Sequence, residues 1–180
     1  MNETDKKRIG KFLSLVLRHS PETIGIELDE NGWADVDELI KKCAKHCYVF
    51  TIAQLEEIVA TNNKKRYAFN EDNTKIRANQ GHSIDINLEL NPVEPPEYLY
   101  HGTATRFLSS IREKGILKGN RLHVHLSSDK DTAVNVGSRH GKPAVLIVMS
   151  GKMHDDGIEF YCSDNGVWLT DYVDMKYVSE

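Results

Sequence analysis

Asn91-Pro92-Val93-Glu94-Pro95-Pro96 places three prolines within five residues near the middle of a 180-residue chain. Each proline fixes its own φ and lacks an N–H, so this stretch can continue neither a helix nor an inner strand. It reads as a stiff spacer between two lobes. We therefore expect lobes at residues 1–90 and 98–180, joined by a linker over 91–97. The two sides have different periodicities, and together they predict an α+β protein.

Upstream, the pattern is helical. Ile9, Phe12, Leu13, Val16 and Leu17 form one apolar stripe at i, i+3, i+4, i+7 and i+8. Ser20-Pro21 ends that helix, because a residue before proline avoids helical angles. Asn31-Gly32 marks a turn. Asp35 and Glu38 have the spacing of a capping box for a second helix, and Thr51 and Gln54 for a third whose core face is Leu55, Ile58 and Val59. Two short extended runs follow, at 66–69 and 74–77, divided by Glu71-Asp72-Asn73. Three helices and a hairpin predict a winged-helix lobe, a form often used on nucleic acids.

Downstream, short strands dominate. We expect strands at 98–100, 122–126, 144–150, 158–162 and 167–169, the fourth and fifth divided by the Asn165-Gly166 turn. The run at 144–150 is almost wholly apolar and suits a strand buried on both faces. A helix over about 105–114 should stop at Gly115, and a shorter one should span 129–136.

Composition narrows the classes. A hydrophobic fraction of 39% and a charged fraction of 28% are ordinary for a folded, water-exposed chain. No apolar run approaches the roughly 20 residues of a membrane helix. The polar start, MNETDKKRIG, lacks the features of a secretory signal, and three cysteines are too few for a disulfide framework. The expectation is a cytoplasmic protein that works as a monomer. Its formal net charge is −4. Nucleic-acid binding therefore requires a local basic cluster on an acidic protein. Cys43, His46 and Cys47 lie close together but lack a second ligand pair, so no zinc site is expected.

Four groups can carry chemistry. Arg18-His19 puts a cation and an imidazole at a helix C-terminus. That placement is favoured by about 0.3–1 kcal/mol in any protein, and it also suits a phosphate. Ile76-Arg77-Ala78-Asn79-Gln80-Gly81-His82-Ser83 gathers hydrogen-bond donors after a strand, as phosphate-binding loops do. Tyr100-His101-Gly102-Thr103 and His123-Val124-His125-Leu126-Ser127 bring three histidines. Strand alternation would put His123 and His125 on one face. Such a set can ligate a metal or hold a dinucleotide. Gly137-Ser138-Arg139-His140-Gly141 is a glycine-flanked loop with an arginine, suited to an anion. The chain has neither GxGxxG nor GxxxxGK[ST], so a nucleotide site here is neither of the Rossmann nor of the P-loop kind.

Taken together, SLVLRHSPE (14–22), GW (32–33), IRANQGHS (76–83), LYHGT (99–103), HVHLS (123–127), GSRHGKPAVL (137–146) and NGVWLT (165–170) resemble the NAD-dependent tRNA 2′-phosphotransferases, in family order and over nearly the whole chain. The resemblance implies a winged-helix lobe followed by a β-rich lobe of the ADP-ribosyltransferase type. It implies a catalytic tetrad of Arg18, His19, Arg77 and Arg139. It implies an NAD site using His101, Gly102, Thr103, His125, Leu126 and Ser127, and no metal. The implied partners are NAD, as co-substrate, and RNA carrying a 2′-phosphate. The implied reaction moves an internal 2′-phosphate to NAD through an ADP-ribosylated RNA 2′-phosphate. Nicotinamide and ADP-ribose 1″,2″-cyclic phosphate are released. The end of the chain, WLTDYVDMKYV (168–178), departs from the family pattern where prolines usually follow the valine, and reads as a surface change. Three other functions fit parts of this set: an ADP-ribosyltransferase acting on nucleic-acid terminal phosphates, a winged-helix regulator that senses NAD, and a metal hydrolase built on His101, His123 and His125.

Overall fold

A computed structural model describes every residue from Met1 to Glu180. The chain is mixed α and β, and divides into two compact units, Met1–Glu89 and Leu90–Glu180. Each has its own apolar core. None of its helices is long and apolar enough to cross a membrane.

In the first unit, α1 spans Glu3–Arg18 and buries Ile9, Phe12, Leu13, Val16 and Leu17, the stripe read from the sequence. Asn2 caps its start, and the chain leaves the helix at His19, ahead of Pro21. Helix α2 (Val36–Lys45) starts on Asp35, whose side chain accepts from Glu38 N–H. The reciprocal half of the expected box does not form, because Glu38 instead pairs with Lys42 one turn on, at 2.6 Å. Helix α3 (Ile52–Ala60) has the full box, with Thr51 and Gln54 each bonding the other's backbone. Leu55 and Ile58 are buried, while Val59 only flanks the core.

The strands of this unit are β1 (Ala34–Asp35), β2 (Tyr67–Phe69) and β3 (Lys75–Ala78), in the order β1-β3-β2 and antiparallel. The hairpin is the one expected. The two-residue β1 was missed, since two residues carry no alternation to read. It matters because it fixes Trp33, the preceding residue, alongside β3.

The second unit takes in the whole proline-rich stretch. Val93 N–H donates to Phe160 O at 2.8 Å, Gly151 N–H to Glu97 O at 3.0 Å and Ser150 Oγ to Pro96 O at 2.6 Å. Residues 93–97 are thus bonded along this unit. Strand β4 (Leu99–Ala104) is longer than expected and holds His101, Gly102 and Thr103 inside a ladder. A 3-10 turn leads into α4 (Leu108–Lys114), which stops at Gly115 with φ 77°. Next come β5 (Ile116–Leu117), β6 (Val124–Leu126), α5 (Lys130–Gly137), β7 (Pro143–Val148) and α6 (Ser150–Asp155). The chain closes with β8 (Tyr161–Cys162), β9 (Trp168–Thr170), β10 (Tyr172–Val173) and β11 (Val178–Ser179).

These strands make three small sheets, β11-β7-β4, β6-β9-β8 and β10-β5. Strands β4 and β7 pair over six residues, from Leu99↔Val148 to Ala104↔Pro143. A bridge between Tyr100 and Ser127 ties the first sheet to the second. On β7, Leu146 and Val148 are buried and their neighbours are half-buried, so the strand is less enclosed than its apolar sequence suggested. The end of the chain is no mere surface. Val173 and Tyr177 are buried, and β10 and β11 complete two of the sheets.

Helix α5 lies against β4 at backbone distance. A Cβ on Gly102 would come within 1.9 Å of Ala133 O, and one on Gly137 within 2.3 Å of Thr103 O. Real Cβ atoms do not approach so closely, so both positions require glycine.

Candidate active site

Arg18 is the last residue of α1, half-buried, with His19 exposed just beyond it. The 79–83 loop is fastened to this helix end at two points. Ser83 N–H donates to Arg18 O at 2.9 Å, and Ser83 Oγ lies 2.9 Å from His19 Nδ1. The loop's other end is pinned by Asn79. Its N–H donates to Arg66 O at 2.9 Å and its Nδ2 to Lys65 O at 2.6 Å.

Arg77 projects from β3, and its guanidinium carbon sits 4.5 Å from the centre of the Trp33 ring. Guanidinium on an aromatic face is attractive and holds the plane of the fork. Nε and Nη1 of Arg77 are buried and make no hydrogen bond, and no carboxylate pairs with this side chain. Such groups are costly to leave unmet, and a cluster of them points to a ligand.

Between these cations lies His82, only 1% exposed, with neither ring nitrogen hydrogen-bonded. The Asn31-Gly32 turn backs it. Gly32 has φ 81°, and a Cβ there would come within 3.5 Å of His82 Nε2. Burial pushes the His82 pKa down to about 3, and the positive charges of Arg18, His19 and Arg77 push the same way. His82 is therefore a neutral imidazole in a positive field. Asn79 Oδ1 is a further buried, unbonded acceptor here. The sequence drew attention to His82 only as part of a motif. Its burial among cations is visible only in three dimensions. The structure thus brings Arg18, His19 and Arg77 together in the first unit, and the basic cluster required by the acidic composition exists.

In the second unit, His101 Nδ1 donates to His125 O at 3.1 Å. Burial lowers the His101 pKa, this bond partly offsets the shift, and the Arg121 charge lowers it further. Thr103 is 6% exposed and Leu126 only 1%. Leu126 belongs to the apolar core, so only its backbone is available to a ligand. Gly102 serves the close approach of α5 to β4, whatever else it does. Ser127 and Tyr100 exchange both backbone hydrogen bonds at 2.8 Å. Arg139 is exposed on the turn that follows α5, and no carboxylate pairs with it.

His123 falls outside β6, so the alternation argument that aligned it with His125 does not apply. It rests 5.6 Å from the Tyr161 ring. No three His, Cys, Asp or Glu side chains gather as a set that could hold a metal. Cys43 is fully buried and its thiol is pushed up to about 12, a packing residue rather than a ligand.

The family model described as "RNA 2'-phosphotransferase, Tpt1 / KptA family" matches residues 4–172. This chain belongs to that family. A Flavobacterium johnsoniae protein named "Probable RNA 2'-phosphotransferase" is 60% identical over 178 residues, covering 99% of this chain and 98% of that one. One of the same name from Acaryochloris marina is 52% identical over 174 residues, covering 97% and 96%. A third, from Fusobacterium nucleatum, is 54% identical over 172 residues, covering 95% and 96%. Within the matched residues, Arg18, His19 and Arg77 form a positive cluster around His82 in the first unit.

Proposed function

We propose that this protein removes a 2′-phosphate from RNA and transfers it to NAD, releasing nicotinamide and ADP-ribose 1″,2″-cyclic phosphate. The observation that carries the proposal is the cluster of Arg18, His19 and Arg77 around His82. It is positive, and it contains buried donors of Arg77 that nothing in the protein satisfies. A phosphate dianion supplies the missing acceptors and charge. The family match and the named relatives support the same substrate class. The three helices and small antiparallel sheet of the first unit support its reading as a winged-helix lobe. The several short strands of the second support an ADP-ribosyltransferase-type lobe.

The second unit's donor set suits a dinucleotide. His101 and His125 offer imidazole nitrogens and Thr103 a hydroxyl. The nearby backbone of Gly102, Leu126 and Ser127 can approach closely. NAD supplies an anomeric carbon bearing a good leaving group. The protein's own residues do the rest. Arg77, held on Trp33, presents a fixed fork to two phosphate oxygens, which a lysine cannot copy. Arg18, at the end of α1, adds a second permanent cation. His19, its ring steadied by Ser83, contacts the phosphate or hands it a proton. Transfer of the phosphorus centre gathers negative charge, and in the first unit Arg18 and Arg77 are the groups that stabilise it.

The test mixes the protein with an oligonucleotide bearing one internal 2′-phosphate, with and without NAD. Phosphate loss and nicotinamide release, both dependent on NAD, are expected. Binding of NAD without either product would leave a sensor in place of an enzyme. A stable ADP-ribose cap on terminal phosphates alone would make it a transferase of the other kind.

A further inference from the structure

Arg121, in the turn before β6, has no place in the tetrad or in the expected NAD set. Its contacts are nonetheless specific. Nη1 lies 2.8 Å from His125 Nδ1. A guanidinium has only donors and keeps its protons, so this contact has one polarity: Arg121 donates and His125 Nδ1 accepts. A neutral imidazole that accepts at Nδ1 carries its proton on Nε2. The same logic settles His101. Its Nδ1 faces a carbonyl oxygen, that of His125, at 3.1 Å. A carbonyl only accepts, so His101 is protonated at Nδ1 and holds its lone pair on Nε2. The two rings are therefore opposite tautomers.

Arg121 forms no ion pair. Burial lowers its pKa, and the charge of Arg139 adds to that. An arginine without a carboxylate, near a second cation, gains little stability from its position. Its one strong side-chain contact is the bond to His125.

We propose that Arg121 is a positioning residue of the dinucleotide site: its bond to Nδ1 locks His125 as the Nε2–H tautomer, and the oppositely tautomeric His101 and His125 select a neutral group that both accepts and donates, such as a ribose hydroxyl or a carboxamide, over an anionic one. The ligand half rests on the NAD reading above. The tautomer half does not. A proton on Nε2 of His125 is a donor, whereas the lone pair of His101 repels an anion. Arg121 thus sets the ring chemistry of His125 and leaves the anion-binding role to other arginines.

Long-range nitrogen–proton spectra of histidine-labelled protein without ligand test the first half. His125 should show Nε2–H and His101 Nδ1–H. Finding His125 protonated at Nδ1 overturns the proposal, whether or not NAD binds. In R121A, His125 should lose its fixed tautomer and KM for NAD should rise about 10-fold, with kcat little changed, the loss expected of one such bond. Arg121→Lys keeps a side chain with donors and no acceptor, so it should restore the tautomer and most of the affinity. If Arg121→Lys leaves His125 in mixed tautomers, as R121A does, the donated bond is not what holds the ring and the proposal fails. A wild-type protein with the expected tautomers that binds no NAD overturns the ligand half and the proposed function, and leaves the tautomer lock standing.

Discussion

In the first unit Arg77 lies 4.5 Å over the Trp33 ring with Nε and Nη1 buried and unbonded, whereas in the second Arg121 uses Nη1 on His125 at 2.8 Å. The same contrast holds for the imidazoles. His82 makes no hydrogen bond at either nitrogen, while Nδ1 is engaged on both His101 and His125. The first region keeps permanent charge and leaves Nε and Nη1 of Arg77 and both ring nitrogens of His82 unmet. The other uses its polar atoms to fix tautomers. The first arrangement suits a dianion that arrives with its own acceptors. The second suits a neutral, polar group of a larger ligand that must be held in one orientation.

The contrast breaks most sharply at Arg77. Arg77→Ala should lower kcat on a 2′-phosphorylated oligonucleotide by about 10²–10³-fold. Arg77→Lys should recover little, since an ammonium cannot replace the fork. Near-wild-type turnover in either would remove the phosphate reading of the first unit.

Gly102→Ala asks whether the second unit depends on its backbone contact. With Ala133 O only 1.9 Å from the added Cβ, the variant should unfold at least about 3 kcal/mol more easily in denaturant. A stability equal to wild type would mean that α5 is free to move off β4.

His82 gives a pH signature. Its folded pKa, about 3, lies below its ordinary 6.5, so the unfolded chain binds the extra proton first. Stability should then fall as pH drops from about 6.5 towards 3, by on the order of a few kcal/mol in total. His82→Asn should flatten that part of the curve of unfolding free energy against pH. An unchanged curve would mean that His82 is not neutral by constraint.

The smallest effect belongs to Trp33. Trp33→Leu removes the ring beneath Arg77 and should lower kcat/KM about 5-fold, the worth of roughly 1 kcal/mol of cation–π contact. If kcat/KM is unchanged, the β-sheet alone holds the fork.

Local signals read well where a side chain and its partner are neighbours in the chain. The α1 stripe, the Thr51–Gln54 box, the helix stop at Gly115 and the Asn165-Gly166 turn all depend on residues within a few positions. Readings failed where a partner came from elsewhere. Strand β4 grew to Ala104 because β7 offered a ladder along its length. The 168–178 segment, whose departure from the family pattern read as a surface change, buries Val173 and Tyr177 in the second unit.

The sequence alone determined which chemical groups this protein owns: the arginines at 18, 77 and 139, the histidines at 19, 101 and 125, and the family that carries them in this order. The tertiary structure decided their states. It buried His82 among cations, set Arg77 on an aromatic ring, and turned His101 and His125 into opposite tautomers. The physical reason is that charge and protonation depend on desolvation and on atoms a few ångströms away, and in a folded chain those atoms come from residues far apart in sequence.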